Sequence, residues 1–316
     1  MNVLGIDVGK GEFVCELLGS DQRASKKFNN TARGFEQLAA WLRNRGTRKV
    51  HACLESTGGW SEDIAAYLHD RGHIVSIVNP MQIKAFGQSE LSRTKTDKAD
   101  AALIARFCLA MKPDPWAAPT PQEQRLRQLV RRRLALVETR AQEYNRLGAP
   151  GTENVEDSIV ASIAFLDSAI ESLEKKIKET IDGDDDLRGK RNLIESIGGI
   201  GPATSSTVLA ETPHIESFPT AKALAAFAGV CPQERRSGTS VSSSHVTRIG
   251  NRSIRRVLYM AALAAMRCNP IIQAFAKRLK DRGKRSMQII VAVMHKLVIL
   301  IFGVLKTGRP FDPLWA

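Results

Sequence analysis

Three strand-like stretches stand within the first 28 residues, at 2–8, 13–18 and 25–28, and the gaps between them are too short for a helix. Connections of that length allow only hairpins, so a sheet built from them begins as an antiparallel meander. The pattern then changes. Residues 34–45 carry Phe35, Leu38, Ala39 and Leu42 at helical spacing, and 50–54 read as a fourth strand that ends on Glu55. Residues 60–69 read as a helix and 73–78 as a strand closed by Asn79-Pro80, with a further helix beyond. A meander followed by alternating strands and helices leaves few solutions. The one expected here is an α/β mixed sheet with helices on both faces and strands one and four as neighbours.

Four acids fall on that frame. Asp7 lies within the first strand, Glu55 at the end of the fourth, and Asp97 and Asp100 in the stretch Thr94-Lys-Thr-Asp-Lys-Ala-Asp-Ala-Ala-Leu-Ile-Ala-Arg-Phe107. At 100° per residue Asp97 and Asp100 share a face with Leu103, Ile104 and Phe107, while Lys98 and Arg106 point elsewhere. Carboxylates on a stripe that should be buried need a counter-charge, either a divalent cation or a ring of basic groups. A plainer reading makes this a helix start, with Thr96 or Asp97 as N-cap and Asp100 favouring the macrodipole. Taken together, four such carboxylates suit a pair of Mg²⁺ ions roughly 4 Å apart, the arrangement that clamps attacking and leaving oxygens in phosphoryl transfer.

Charge locates a second function. The chain carries a net charge of +13, and residues 231–316 hold 16 Lys and Arg against 3 Asp and Glu, so the whole excess sits in that tail. Arg235, Arg236, Arg248, Arg252, Arg255 and Arg256, with the run Lys277-Arg-Leu-Lys-Asp-Arg-Gly-Lys-Arg285, mark a polyanion-binding domain. Five cysteines without a Cys-x-x-Cys argue against a disulfide framework or a zinc site and for a reducing cytoplasm. No export signal leads the chain. The longest apolar run, 289–305, is interrupted by His295 and Lys296 and is expected as a buried helix rather than a membrane span.

Between these regions the chain changes character twice. Residues 112–121 are Pro-rich and end the first domain, expected over 1–118. Val130, Leu134, Val137, Ala141 and Tyr144, then Ile159, Ile163, Leu166, Ile170, Leu173 and Ile177, alternate steps of four and three, the period of a coiled-coil hairpin expected over 119–185. It is either a spacer or an oligomerisation arm. In the third region, 186–316, the turn Gly198-Gly199-Ile200-Gly201 between two helices reads as helix-hairpin-helix, aiming backbone N–H groups at a phosphate. Further on comes the polar stretch from Gly229 to His245. Its hydroxyls either bind phosphates or, for one serine beside arginines, supply a nucleophile. Helices near 253–267, 271–281 and 286–305 are expected to close the domain.

Read in order, Gly5-Ile-Asp7-Val-Gly-Lys10, Leu54-Glu55-Ser-Thr-Gly58, Asn79-Pro80, Lys95-Thr-Asp97-Lys-Ala-Asp100-Ala101, Ile197-Gly-Gly-Ile-Gly201, Phe227-Ala-Gly-Val230, Arg236-Ser237-Gly238 and Arg255-Arg-Val-Leu-Tyr-Met260 resemble a known family. It comprises the bacterial insertion-sequence transposases that join a DEDD domain, similar to the RuvC resolvase and hence RNase H-like, to a C-terminal serine transposase domain. The resemblance implies a recombinase directed by a bridge RNA and acting as a tetramer on double-stranded donor and target DNA. By motif it implies the tetrad Asp7, Glu55, Asp97 and Asp100, binding Mg²⁺, and Ser237 as nucleophile. Ser240 stands in the same motif and stays open as an alternative, and His245 is not assigned. A hydrolytic, structure-specific endonuclease is the main rival. An actin-like ATPase would need a second phosphate loop that the sequence lacks, and a non-enzymatic nucleic-acid binder is expected only if the four acids do not converge.

Overall fold

A computed structural model describes residues 2–19, 22–56, 59–91, 96–237, 241–246 and 249–313, with the backbone alone for 232–237 and 241–246. The chain divides into two compact units, Met1–Ala118 and Pro119–Ala316.

The first unit is a five-stranded sheet built from β1 (Asn2–Val8), β2 (Glu12–Leu18), β3 (Arg23–Asn29), β4 (Val50–Glu55) and β5 (Ile74–Val78), in the order β3-β2-β1-β4-β5. β1–β2 and β2–β3 are antiparallel, β1–β4 and β4–β5 parallel. This is the mixed sheet expected, and its strand order is that of an RNase H-like domain. Alternation along the strands sorts the two faces. Leu4, Ile6, Val8, Ala52 and Leu54 pack with Leu38 and Leu42 of α1 (Ala32–Asn44) and Ile64 and Leu68 of α2 (Gly59–Asp70). Val3 and Cys53 face the other way, onto Ile83 of α3 (Pro80–Ser89) and Ile104, Phe107 and Cys108 of α4 (Asp97–Met111). The short helix α3 was not expected. Its signal is Asn79-Pro80, read from sequence as a strand terminator, which here is an N-cap accepting from Met81 N with Pro at the first helical position. Residues 113–116 remain tied to this unit, with Ser76 Oγ donating to the Pro113 and Asp114 carbonyls and Trp116 N to Val75 O.

The second unit is mainly helical. α5 (Pro121–Arg146) starts with a capping box of Thr120 and Glu123, and pairs with α6 (Glu156–Asp182) through Leu136, Leu166 and Ile170. The root of this hairpin, Leu126, Val130, Ile177 and Ile181, belongs to the main core. That core also draws on α7 (Asp185–Glu195), α8 (Pro202–Glu211), α9 (Ala221–Ala228), α10 (Arg252–Cys268), α11 (Pro270–Asp281) and α12 (Ser286–Thr307). α12 is long and apolar enough to cross a membrane, and it buries Ile289, Val293, Leu297, Ile301 and Val304 in the core, the role expected of it. β6 (Pro232–Ser237) and β7 (Val241–Val246) form an antiparallel hairpin. The sequence gives no strand signal there, because a Ser- and Arg-rich segment has no apolar alternation.

Candidate active site

The four acids are brought to one face of one sheet by simple geometry. Asp7 follows Gly5 by two residues on β1, and Glu55 follows Cys53 by two on β4, so both acids point to the side covered by α4. The parallel register that pairs Ile6 with Leu54 sets Asp7 beside Glu55. α4 comes down directly on β1 because residue 5 has no side chain. A Cβ there would lie 2.2 Å from the Ala101 carbonyl oxygen and 2.3 Å from Ala105 N. The first turn of α4, carrying Asp97 and Asp100, is thereby held over the end of β1. Thr96 is its N-cap and accepts from Ala99 N, as in the plainer reading, while Asp100 is half-buried and Asp97 is exposed, so Asp97 does not lie on a buried stripe. Arg106, off the stripe, pairs with Glu90, 2.8 Å away.

Electrostatics reports the convergence. Burial, and then the charges of Asp100, Asp97 and Glu55 in that order, push the Asp7 carboxyl up to about 6. Such a field, made only of hard oxygen donors, fits a divalent cation of the Mg²⁺ type by donor chemistry. Among the described residues no three His, Cys, Asp or Glu side chains are drawn together closely enough to grip one ion. The carboxylates share a field without three of them meeting at one point.

In the second unit the candidate residues behave differently from one another. Gly199 has φ +100°, and a Cβ on it would lie 2.4 Å from Ala265 Cα, so glycine is needed there for packing against α10. Asn269 Nδ2 holds the turn by donating to the Gly198 carbonyl, 3.2 Å away. Gly201 is exposed and serves as the N-cap of α8 with no side-chain cap. Arg252 and Arg256 both reach Glu138 of α5, at 2.9 and 3.6 Å, so the hairpin supplies a counter-charge that the local sequence lacks. Arg255 has a buried Nη1 without a hydrogen-bond partner. Ser237 ends β6, its backbone paired with Val241, rather than lying in a loop. Arg235, Arg236 and His245 are placed by backbone only, and Ser240 and Arg248 lie outside the described residues.

Comparison with known proteins agrees with this architecture. The family model DEDD_Tnp_IS110, described as a transposase, matches residues 4–149, and one described as the transposase IS116/IS110/IS902 family matches 191–277. A pilin gene-inverting protein of Moraxella bovis is 32% identical over 98% of this chain and 97% of its own. The chain belongs to the IS110 family of insertion-sequence transposases. The transposase for insertion sequence element IS1111A of Coxiella burnetii is 23% identical over 84% of this chain and 78% of its own. Among solved structures, a Thermus thermophilus RuvC structure aligns over its full length with 37% of this transposase, at 16% identity and a TM-score of 0.28. The sheet topology, and not that alignment, carries the fold assignment. As a member of this family the protein is an enzyme acting on DNA.

Sequence reasoning missed the part of Gly5. A glycine inside an apolar strand is a known sign of close backbone approach, and that signal was present between Leu4 and Ile6.

Proposed function

We propose that this transposase cuts and rejoins DNA through a serine ester, with Asp7, Glu55, Asp97 and Asp100 holding divalent metal, Mg²⁺ in two sites, and Ser237 as the nucleophile. The observation that carries the metal half is the raised Asp7 carboxyl with its three acidic neighbours. A cation held there would polarise a phosphate and stabilise charge on a leaving oxygen. On the serine side, Ser237 Oγ attacks phosphorus, the bond from phosphorus to the sugar oxygen breaks, the proton lost by Oγ ends on that departing oxygen as a free hydroxyl, and the ester keeps the energy of the broken bond. The hydroxyl of a new strand then attacks the ester and releases the serine. In support, Arg235 and Arg236 precede Ser237 on the same strand, where their charges suit a phosphate approaching the hairpin end.

The rival, hydrolysis by metal-activated water, leaves broken strands. The relative from Moraxella bovis is named for inverting a gene, and inversion has to rejoin what it cuts. That favours transesterification. We further propose guidance by a structured RNA, as the family resemblance suggests, in a bacterial cytoplasm that suits five free thiols. The basic groups Arg235, Arg236, Arg248, Arg252, Arg255 and Arg256 and the Gly199–Gly201 turn, as a helix-hairpin-helix, would contact nucleic-acid backbone. Three functional modules, 1–118, 119–185 and 186–316, would divide the work. The coiled-coil hairpin would serve a dimer or tetramer, in keeping with Tyr144, Val160 and Phe165 standing exposed on it.

The test is a covalent adduct. Protein, guide RNA, DNA and Mg²⁺ are incubated and denatured, and DNA attached to the peptide bearing Ser237 is sought by mass spectrometry. The adduct is expected to vanish in Ser237→Ala with DNA binding retained. An adduct on Ser240, or recombination by Ser237→Ala at the wild-type rate, would sink the assignment.

A further inference from the structure

The turn after β1 and the first turn of α2, next to the acids, carry an exposed pair that the mechanism above does not use. β1 ends at Val8 and β4 at Glu55, and the strands are parallel neighbours, so the segments that follow them emerge at the same edge. The first is a tight turn, with Gly9 N donating to Glu12 O at 2.9 Å, and Lys10 at its tip. The second leads into α2, whose second residue is Trp60. Lys10 Nζ lies 5.7 Å from the centre of the Trp60 ring, within cation–π range. Trp60 is 49% exposed, an unusual state for the largest apolar side chain.

The scaffold beneath them is built with care. Asn30, just past the end of β3 and at the same edge, donates its side-chain Nδ2 to the carbonyls of both Gly9 and Trp60, each at 3.1 Å. Its backbone N donates to Gly11 O at 2.9 Å. One side chain thus fastens the turn after β1 to the first turn of α2, with Lys10 and Trp60 both exposed. Burial does not explain such an arrangement, since the Trp60 side chain contributes to neither of the cores that sandwich the sheet. A flat π surface and a point cation three residues from Asp7 and five from Glu55 match the two parts of a nucleotide, its base and its phosphate.

We infer that Trp60 and Lys10 form a positioning clamp for one nucleotide of the DNA strand entering the acid cluster, the indole stacking on an unpaired base and the ammonium meeting its phosphate. Both are positioning residues. Asn30 sets their spacing. The clamp deepens the strand-transfer reading and rests on it. It also answers a need of that reading, because the acids at this edge repel a phosphate until it is placed. Stacking tolerates any base and contributes enough to be read in binding, while a single lysine–phosphate contact shows in salt dependence.

The experiment uses the full chain with Asp7→Asn, so that bound DNA is not processed, together with the guide RNA and a nicked duplex with 2-aminopurine placed at successive positions beside the nick. Binding is followed by anisotropy and stacking by fluorescence of the indole and the aminopurine. The clamp predicts quenching at one position, lost in Trp60→Leu and kept in Trp60→Phe, with affinity about tenfold weaker for the Leu variant. Leucine fills space without stacking, so the pair separates stacking from packing. Lys10→Gln is expected to lower the slope of log affinity against log salt by about one. Tight binding by wild type with no quenching at any position, or equal affinity for Trp60→Leu and wild type, overturns the clamp. If wild type binds no DNA at all, the strand-transfer reading fails first, and the clamp with it.

Discussion

The two units solve opposite electrostatic problems. In the first, carboxylates from β1, β4 and α4 face one another at the edge of a sheet, and the one arginine of α4 turns away to Glu90. In the second, the basic tail takes a counter-charge from a distance, with Glu138 of α5 reaching Arg252 and Arg256, and Glu211 of α8 pairs with Arg131 of α5 at 2.9 Å. The cluster in the first unit gathers like charge around Asp7, while Glu138 and Glu211 of the second unit are engaged by arginines. That contrast separates the two sets more sharply than burial does, since Asp7, Glu55, Asp100, Glu138 and Glu211 are all half-buried.

The contrast breaks most severely if the carboxylates prove to be structural. Asp7→Asn and Asp100→Asn are each expected to lower strand transfer by on the order of a thousandfold or more while the protein stays folded. Circular dichroism checks the fold, and a gel assay of donor and target joining checks the activity. An unfolded Asp7→Asn protein would make the cluster a fold element and erase the distinction.

Next in size are two glycines that let a helix approach, one in each unit. Gly5→Ala places a methyl group against α4 backbone at 2.2 Å, and Gly199→Ala combines φ +100° with a contact of 2.4 Å to Ala265. Each is expected to cost about 3 kcal/mol or more, because backbone on both sides has to move. Gly5→Ala should also relieve the field on Asp7 by lifting Asp97 and Asp100 away, and a carboxyl titration by NMR reads that directly. Gly199→Ala should leave Asp7 unchanged.

The network at Glu211 gives a smaller effect. Its carboxylate accepts from Arg131 at 2.9 Å and from Asn251 Nδ2 at 2.9 Å, while Asn251 Oδ1 caps α10 by accepting from Ile254 N at 3.0 Å. Glu211→Gln keeps the shape and removes the charge, and is expected to cost about 2 kcal/mol in chemical denaturation. No loss would mean that the hairpin root is held by Leu126, Val130, Ile177 and Ile181 alone.

Much of this was legible beforehand, for identifiable reasons. The meander and the alternation that follows fix the sheet order, because hairpin gaps and helical crossovers leave little choice. The Asp97/Asp100 stripe was legible only in part, because helical period is a local property but does not tell that Asp97, in the first turn, stays exposed. The approach of α4 to Gly5 was not, since it depends on two segments about a hundred residues apart. Glu138 as partner of Arg252 and Arg256 was hidden in the same way. The Gly199 turn carries a second demand that was not legible. A glycine-rich turn reads as a phosphate contact, yet one of its glycines is accounted for by packing on Ala265. The β6–β7 hairpin escaped because its residues pair through backbone, with no apolar face to betray a period of two.

The smallest effect is the most diagnostic, because it gives the two units opposite signs. Asp7 has a folded value raised to about 6 from 3.8 by burial and its acidic neighbours. Below pH 4 it is protonated in both folded and unfolded chains and costs nothing. As pH rises from about 4 to 6 the unfolded chain ionises first, so stability falls, and above 6 the full cost is present. Two pH units correspond to about 3 kcal/mol, and the half-exposed position of Asp7 reduces that to on the order of 1 kcal/mol through solvent screening. At Glu211 burial pushes up, but the hydrogen bond and charge of Arg131, with Asn251 and Arg127, pull the carboxyl below the usual glutamate range. Its contribution is present at neutral pH and is lost as pH falls through the acid range. Hydrogen exchange followed by mass spectrometry can read the units separately in the intact chain without metal. Peptides of β1 and α4 are expected to lose protection from pH 4 to 7, after correction for intrinsic rates, and peptides of α5 and α8 to gain it. Asp7→Asn should flatten the first slope and leave the second, and added Mg²⁺ should restore protection at pH 7 only where Asp7 is intact. Slopes of the same sign in both units would mean that the acids of the first unit are already compensated, and the division between site and scaffold would fall.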